Sequence, residues 1–202
     1  MSVRSSVRVE QAGSRGEDRA VIYPFADSTT VVLADGAGGT TGGAEAADLL
    51  ITTLAKPLPP VPVALCDALL EADTALDTDR FSGTAACALL CFDNKTLAGA
   101  VVGDVDVFRI SGDSIESLVE HRDVKSTLGR NECWPASFEM HRATMRVLLC
   151  SDGLWKYIKR KNIVRAASIA DLDTAADALV NETRLPNGTL QDDVSVVLLE
   201  FI

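Results

Sequence analysis

Short runs of β-branched residues open the chain. Residues 5–11, 19–25 and 29–34 are split by turn formers, a pattern that predicts three strands. The period then changes. Ala44, Ala47, Ile51 and Leu54 recur at helical spacing between Gly43 and Lys56, and Leu65, Leu69, Ala72 and Leu76 repeat it between Val61 and Asp77. Pro57, Pro59, Pro60 and Pro62 forbid one continuous helix, so two helices joined by a stiff connector are expected. Residues 83–92, 96–102 and 105–110 read as strands separated by turns at Asp93-Asn94 and Gly103-Asp104, an antiparallel meander. Residues 120–142 carry charge and little periodicity, with one strand near 136–142. Arg146 to Cys150 reads as a buried strand, helices over 154–167 and 171–182 follow, and Asp193 to Ile202 is strand again. This succession predicts an α+β chain with antiparallel sheets.

Composition narrows the picture. A length of 202 residues suits one domain, and 47% hydrophobic against 24% charged residues supplies one core and excludes a disordered polymer. Aromatics supply only 5%, so that core must be aliphatic. Nineteen Lys and Arg against 29 Asp and Glu give a net charge of −10, which argues against nucleic acid or an anionic membrane as a partner. The first ten residues lack the apolar core of a secretory signal, and no apolar run reaches the roughly 18 residues of a membrane span, so a cytoplasmic protein is expected. Cys66, Cys87, Cys91, Cys133 and Cys150 are odd in number, lack a C-x-x-C spacing and sit mostly among Ala, Leu and Val. They read as small core residues in a reducing compartment rather than as a disulfide or zinc framework.

The candidate chemistry lies in aspartates at strand ends. Asp35 and Asp152 each follow an apolar run and precede glycine, Asp104 follows Gly103, Asp18 stands just before a strand, and Asp192-Asp193 precede the last one. A rigid sheet holds such a carboxylate while a loop exposes it, and the adjacent glycine permits a tight turn and leaves a carbonyl open. A single Asp there is usually a turn or cap residue; several spread through the chain point to a cluster. Clustered carboxylates repel one another, and oxygen-only donors select Mg²⁺ or Mn²⁺. Two such ions about 3.5–4 Å apart bind a phosphoryl group and activate water, so an acidic chain can still take a phosphate ligand. Five glycines between Gly36 and Gly43 suggest a phosphate cradle, but no Lys follows and the dinucleotide spacing is not met; a metal-bearing turn is the better reading.

Glu17-Asp18, Asp35-Gly-Ala-Gly-Gly39, Ser82-Gly-Thr84, Val102-Gly-Asp104, Leu149-Cys-Ser-Asp-Gly-Leu-Trp155 and Asp192-Asp-Val-Ser-Val-Val197 resemble, in order, the motifs of the metal-dependent protein phosphatases of type 2C. The resemblance implies a sandwich of two antiparallel sheets flanked by helix pairs. It implies hydrolysis of phosphoserine or phosphothreonine by metal-activated water, with Mn²⁺ or Mg²⁺ as cofactor: two ions in the core and room for a looser third. By the same resemblance Asp35 bridges the two core metals and the Gly36 carbonyl joins the second. Asp152 and Asp192 complete the first, Asp104 serves the third, and Asp18 orients water. Partners implied are a phosphorylated protein substrate and a serine/threonine kinase, with the enzyme a monomer.

Several positions depart from the family pattern. Arg15 lies near the place of the phosphate-gripping Arg, though not at its usual spacing. Ala37 replaces a His of the animal members, so the leaving group must take its proton from water, and Asp193 replaces a common Asn and is expected to add a carboxylate beside the metals. Lys156 stands where an acidic residue is frequent, a surface change of little expected consequence. Between Gly112 and Met145 too few residues remain for the family's flap, which is expected to be short or absent. His121 and His141 in that stretch lack partners at ligand spacing and are expected to be surface or structural residues. A non-catalytic scaffold of the same fold in a kinase pathway is the alternative, separated from an enzyme by whether the chain binds Mn²⁺; a phosphatase acting on a small molecule shares the same site.

Overall fold

Strands buried on both faces dominate the architecture, which explains why their sequences read as unbroken apolar runs. The computed structural model describes residues 2–37, 42–78, 83–120 and 123–202. Among the described residues there are ten strands: β1 (Val3–Glu10), β2 (Asp18–Pro24), β3 (Thr29–Ala37), β4 (Thr84–Phe92), β5 (Thr96–Val102), β6 (Asp106–Ser111), β7 (Ser114–Ser117), β8 (Ala136–His141), β9 (Met145–Cys150) and β10 (Val194–Phe201). The helices are α1 (Gly43–Thr53), α2 (Pro62–Thr78), α3 (Asp152–Trp155), α4 (Arg160–Ala167) and α5 (Leu172–Asn181). One antiparallel sheet runs β1-β10-β9-β6-β7 and the other β2-β3-β4-β5-β8. Alternate residues of β3 serve opposite layers: Val31 and Leu33 meet Val147, Leu149, Val197 and Leu199 between the sheets, while Val32 and Ala34 face α1 and α2. Leu148, Val196 and Leu198 of the first sheet likewise back onto α4 and α5. The result is the expected sandwich with helices on both outer faces.

The proline-rich stretch joins α1 to α2 as expected, and Leu65, Leu69, Ala72 and Leu76 form the buried stripe of α2. In α1 the fully buried positions are Ala46, Ala47 and Leu50, with Leu54 just beyond its end, so the buried face is rotated from the predicted one. All five cysteines are unbridged, and four of them are buried.

Three expectations need correction. β4 and β5 form a hairpin, but β6 pairs with β9 and β7 in the other sheet, so there is no three-strand meander. The turn at Gly103 takes a positive φ of 88° and carries the chain from one sheet to the other. The helix predicted over 154–167 is broken. Lys159 is extended (ψ 137°), which ends the turn begun by α3 and starts α4 afresh, with Ile158 and Ile163 both in the outer core. β7 escaped notice because its four residues alternate exposed and half-buried with almost no apolar signal.

Between β7 and β8 the described residues hold neither helix nor strand. Reciprocal backbone bonds between Ala85 and Leu128 pin the segment to β4. Its second anchor is Asp73 of α2, whose buried carboxylate accepts the amides of Gly129, Arg130, Asn131 and Cys133. Asp73→Ala leaves four amides without an acceptor and is expected to lower the unfolding free energy by about 3 kcal/mol. Urea denaturation checks it; a loss within the ordinary range of a surface change, about 0.5 kcal/mol, would refute the anchoring role. His141 closes β8 opposite Thr96, exposed and at the far end of the strand from Asp104, whereas His121 lies outside the described residues.

Candidate metal centre

The fold brings carboxylates together by strand register. Asp18 and Asp35 sit directly opposite each other on β2 and β3, so their side chains leave the sheet on the same face. Asp152 begins α3 at the end of β9, and Asp104 occupies the turn between β5 and β6. One carboxylate oxygen from each of Asp35, Asp104 and Asp152 lies within 4.8 Å of the others. Asp192 stands outside this trio: it is exposed just before β10, one oxygen accepts the Asp193 amide at 3.0 Å, and its charge still reaches Asp35 and Glu17.

Backbone packing fixes these positions. Ser151 precedes Asp152 and is locked to β10, its N–H donating to the Ser195 carbonyl (3.1 Å) and its hydroxyl accepting the Ser195 N–H (2.9 Å). Trp155 donates its indole N–H to the Asp104 carbonyl at 2.7 Å, tying α3 to the β5–β6 turn. The glycines after Asp35 and Asp152 are needed for close approach, not for turn geometry. A Cβ on Gly153 would stand 1.9 Å from the Asp193 carbonyl oxygen, and one on Gly36 would stand 2.2 Å from that of Gly43. Neither glycine has a positive φ.

The electrostatics follow from burial first and crowding second. Burial, then the charges of Asp18, Asp152, Asp104 and Asp192, pushes the Asp35 carboxyl up to about 9. Burial raises Asp18 to about 7, against the pull of the Ser151 and Ser195 hydroxyls, and Asp18 Oδ2 is buried without a hydrogen-bond partner. Burial and Asp104 raise Asp152, although Lys156 opposes them. Glu17 is raised by burial and by its acidic neighbours Asp193, Glu45 and Asp192.

Two expectations are corrected by these contacts. Asp193 does not add a carboxylate beside the trio: its oxygens accept the amides of Ala12 (2.8 Å) and Glu17 (2.7 Å), so it fastens the loop before β2. Lys156 is no idle surface residue. Its ammonium donates to Asp152 Oδ2 and, at 3.0 Å, to Asp104 Oδ2. The signal was present in the sequence, since a residue four beyond Asp152 on a helical turn returns to the same face.

Arg15 is exposed on the loop before β2 that carries Glu17. Gly38 and Gly39 of the glycine-rich loop and Ser82 of the Ser-Gly-Thr motif lie outside the described residues. No helix among the described residues is long and apolar enough to cross a membrane.

No protein-family model matches the sequence, and no curated protein does. Solved structures do match. The serine/threonine phosphatase PstP/Ppp of Mycobacterium tuberculosis is 21% identical with a TM-score of 0.83, 98% of each chain being covered. A catalytic domain of PstP in complex with two manganese ions is 22% identical with a TM-score of 0.81, covering 98% of this chain and 97% of that one. The serine/threonine phosphatase Stp1 of Staphylococcus aureus is 16% identical with a TM-score of 0.83, covering 100% of this chain and 96% of that one. Superposition over essentially the whole length, with strands and helices in the expected order, shows that this chain has the fold of the bacterial serine/threonine phosphatases.

Proposed function

We propose that the chain is a metal-dependent phosphomonoester hydrolase acting on phosphoserine and phosphothreonine in proteins. The observation that carries this reading is the convergence of Asp35, Asp104 and Asp152 within 4.8 Å, on a fold shared with a phosphatase domain solved with two manganese ions. The donor set fits a hard divalent cation. It is all oxygen, buried and crowded enough to push the Asp35 carboxyl up to about 9, and it adjoins the buried, unpartnered Asp18 Oδ2. Asp35, Asp152 and Asp192 would hold one ion, and Asp35 with the Gly36 carbonyl the other. Bound Mn²⁺ or Mg²⁺ would supply Lewis acidity, polarising the phosphoryl oxygens and lowering the pKa of a coordinated water.

The chain's own groups do the rest. Asp18, opposite Asp35 in the ladder, accepts a proton from the attacking water and orients it. Arg15 reaches the phosphate from its exposed loop. Water oxygen attacks phosphorus, the ester oxygen leaves, and, with alanine at position 37, that oxygen takes its proton from solvent. The same reading makes residues 1–202 one domain, supported by the pairing of β1 with β10, and places the enzyme in the cytoplasm as a monomer opposing a serine/threonine kinase.

Purified protein should release phosphate from p-nitrophenyl phosphate and a phosphothreonine peptide with Mn²⁺, and stop when the metal is chelated. Turnover no greater than that of Asp152→Asn at saturating Mn²⁺ would overturn the reading.

A further inference from the structure

Lys156 is exposed, yet its ammonium is held against the carboxylate cluster rather than pointing freely into solvent. It follows the four-residue helix α3, and its ammonium bridges Asp152, four residues back, and Asp104, 52 residues away on the β5–β6 turn. Trp155 braces it there. The nitrogen lies 5.9 Å from the centroid of the Trp155 ring, and Trp155 itself is bonded to the Asp104 backbone. Both of its acceptors belong to the trio, so the only lysine or arginine paired to these two carboxylates among the described residues stands on the Asp104–Asp152 edge, where a further cation beyond the two core ions would otherwise go. An ammonium is a compact point charge with three donors and no acceptor; while it occupies these oxygens, a divalent ion cannot use them.

We propose that the Lys156 ammonium is the chain's own resident cation between Asp104 and Asp152, and that it keeps a divalent ion from that edge of the cluster. Resting on the reading above, this leaves the Asp35 end for Mn²⁺ or Mg²⁺. Lys156 is then a positioning residue: it holds Asp104 and Asp152 in place and sets how many ions the chain takes up.

The test is a count of ions. Mn²⁺ bound per chain is measured by equilibrium dialysis with metal analysis for wild type, Lys156→Met, Lys156→Gln, Asp104→Asn and Lys156→Met/Asp104→Asn. Both Lys156 variants are expected to bind one more ion per chain than wild type. Adding Asp104→Asn should remove that extra ion, whereas Asp104→Asn alone should leave the wild-type count unchanged. An equal count in wild type and both Lys156 variants, or a wild-type count that falls by one on Asp104→Asn, would overturn the proposal. Thermal unfolding identifies a variant that fails to fold, and the second substitution at Lys156 then supplies the count. Failure of the phosphatase reading shows separately, as wild type without Mn²⁺-dependent phosphate release, because the difference between wild type and variant does not depend on activity.

Discussion

Asp35→Asn should abolish Mn²⁺-dependent hydrolysis of p-nitrophenyl phosphate, with a loss in kcat/KM of at least about 10³-fold, equivalent to ~4 kcal/mol of transition-state stabilisation. Asn keeps the shape and one carbonyl oxygen but removes the ionisable carboxyl at the point where β3 faces Asp18 and the other two members of the trio, Asp104 and Asp152. The same change should make the metal-free protein more stable. Burial and four neighbouring aspartates push the Asp35 carboxyl up to about 9, so at neutral pH and without a cation the chain must draw a proton onto Asp35 in order to fold. Asn is neutral without that proton, so the substitution is expected to raise the melting temperature of the metal-free protein, by about 2–4 °C for each kcal/mol. Opposite signs on activity and on stability distinguish a group selected for chemistry from one selected for packing. If the melting temperature falls together with activity, Asp35 is structural and the site assignment is wrong.

The second large effect is on pH dependence. The unfolded chain releases carboxyl protons near pH 4, whereas folded Asp18 and Asp35 hold theirs to about 7 and about 9. Between those limits the metal-free folded state binds protons that the unfolded state has lost, so its stability should fall as pH rises. The Asp18 share is gone above about pH 7 and the Asp35 share above about pH 9. Asp93 has the other sign: the amides of Thr96 and Lys95 hold it low, so its contribution is present above the ordinary carboxyl value and lost as pH drops below it. The metal-free optimum should therefore lie at about pH 4–5. Mn²⁺ binds the ionised carboxylates, so the stabilisation it brings should grow with pH. Melting curves with Mn²⁺ and with chelator at about pH 5 and pH 8 decide the matter. A gain that is larger at the lower pH would contradict the account.

The aspartates were legible because each marks an abrupt boundary of an apolar run, and a rigid sheet leaves few other reasons to repeat that pattern. What the sequence hid was lateral. The turn at Gly103-Asp104 has the composition of a hairpin, and nothing local reveals that β6 leaves β5 for β9. Gly36 and Gly153 read as flexible turn residues, although what requires them is the nearness of Gly43 and Asp193, known only once distant segments have packed. Asp193 looks like one more ligand until the amides of Ala12 and Glu17 are seen to occupy it. Lys156 was readable in principle from its spacing to Asp152, but its second partner, Asp104, comes from another part of the chain.

The pairing of β1 with β10 also sets an order of assembly. Arg4 meets Glu200 across 196 positions, and the loop that leads into Asp18 is fastened by Asp193, at the threshold of β10. During synthesis β1 must wait for almost the entire chain before it finds its neighbour, and closure over so long a span slows folding. The loop before β2 and the Ser151–Asp152 turn, which waits for Ser195, are consequently among the last parts to become rigid. A ribosome-bound chain lacking β10 can already pair Asp18 with Asp35, yet Asp193 is not there to fasten the loop before β2 and Ser195 is not there to lock Ser151 beside Asp152, so metal capture belongs to the finished protein.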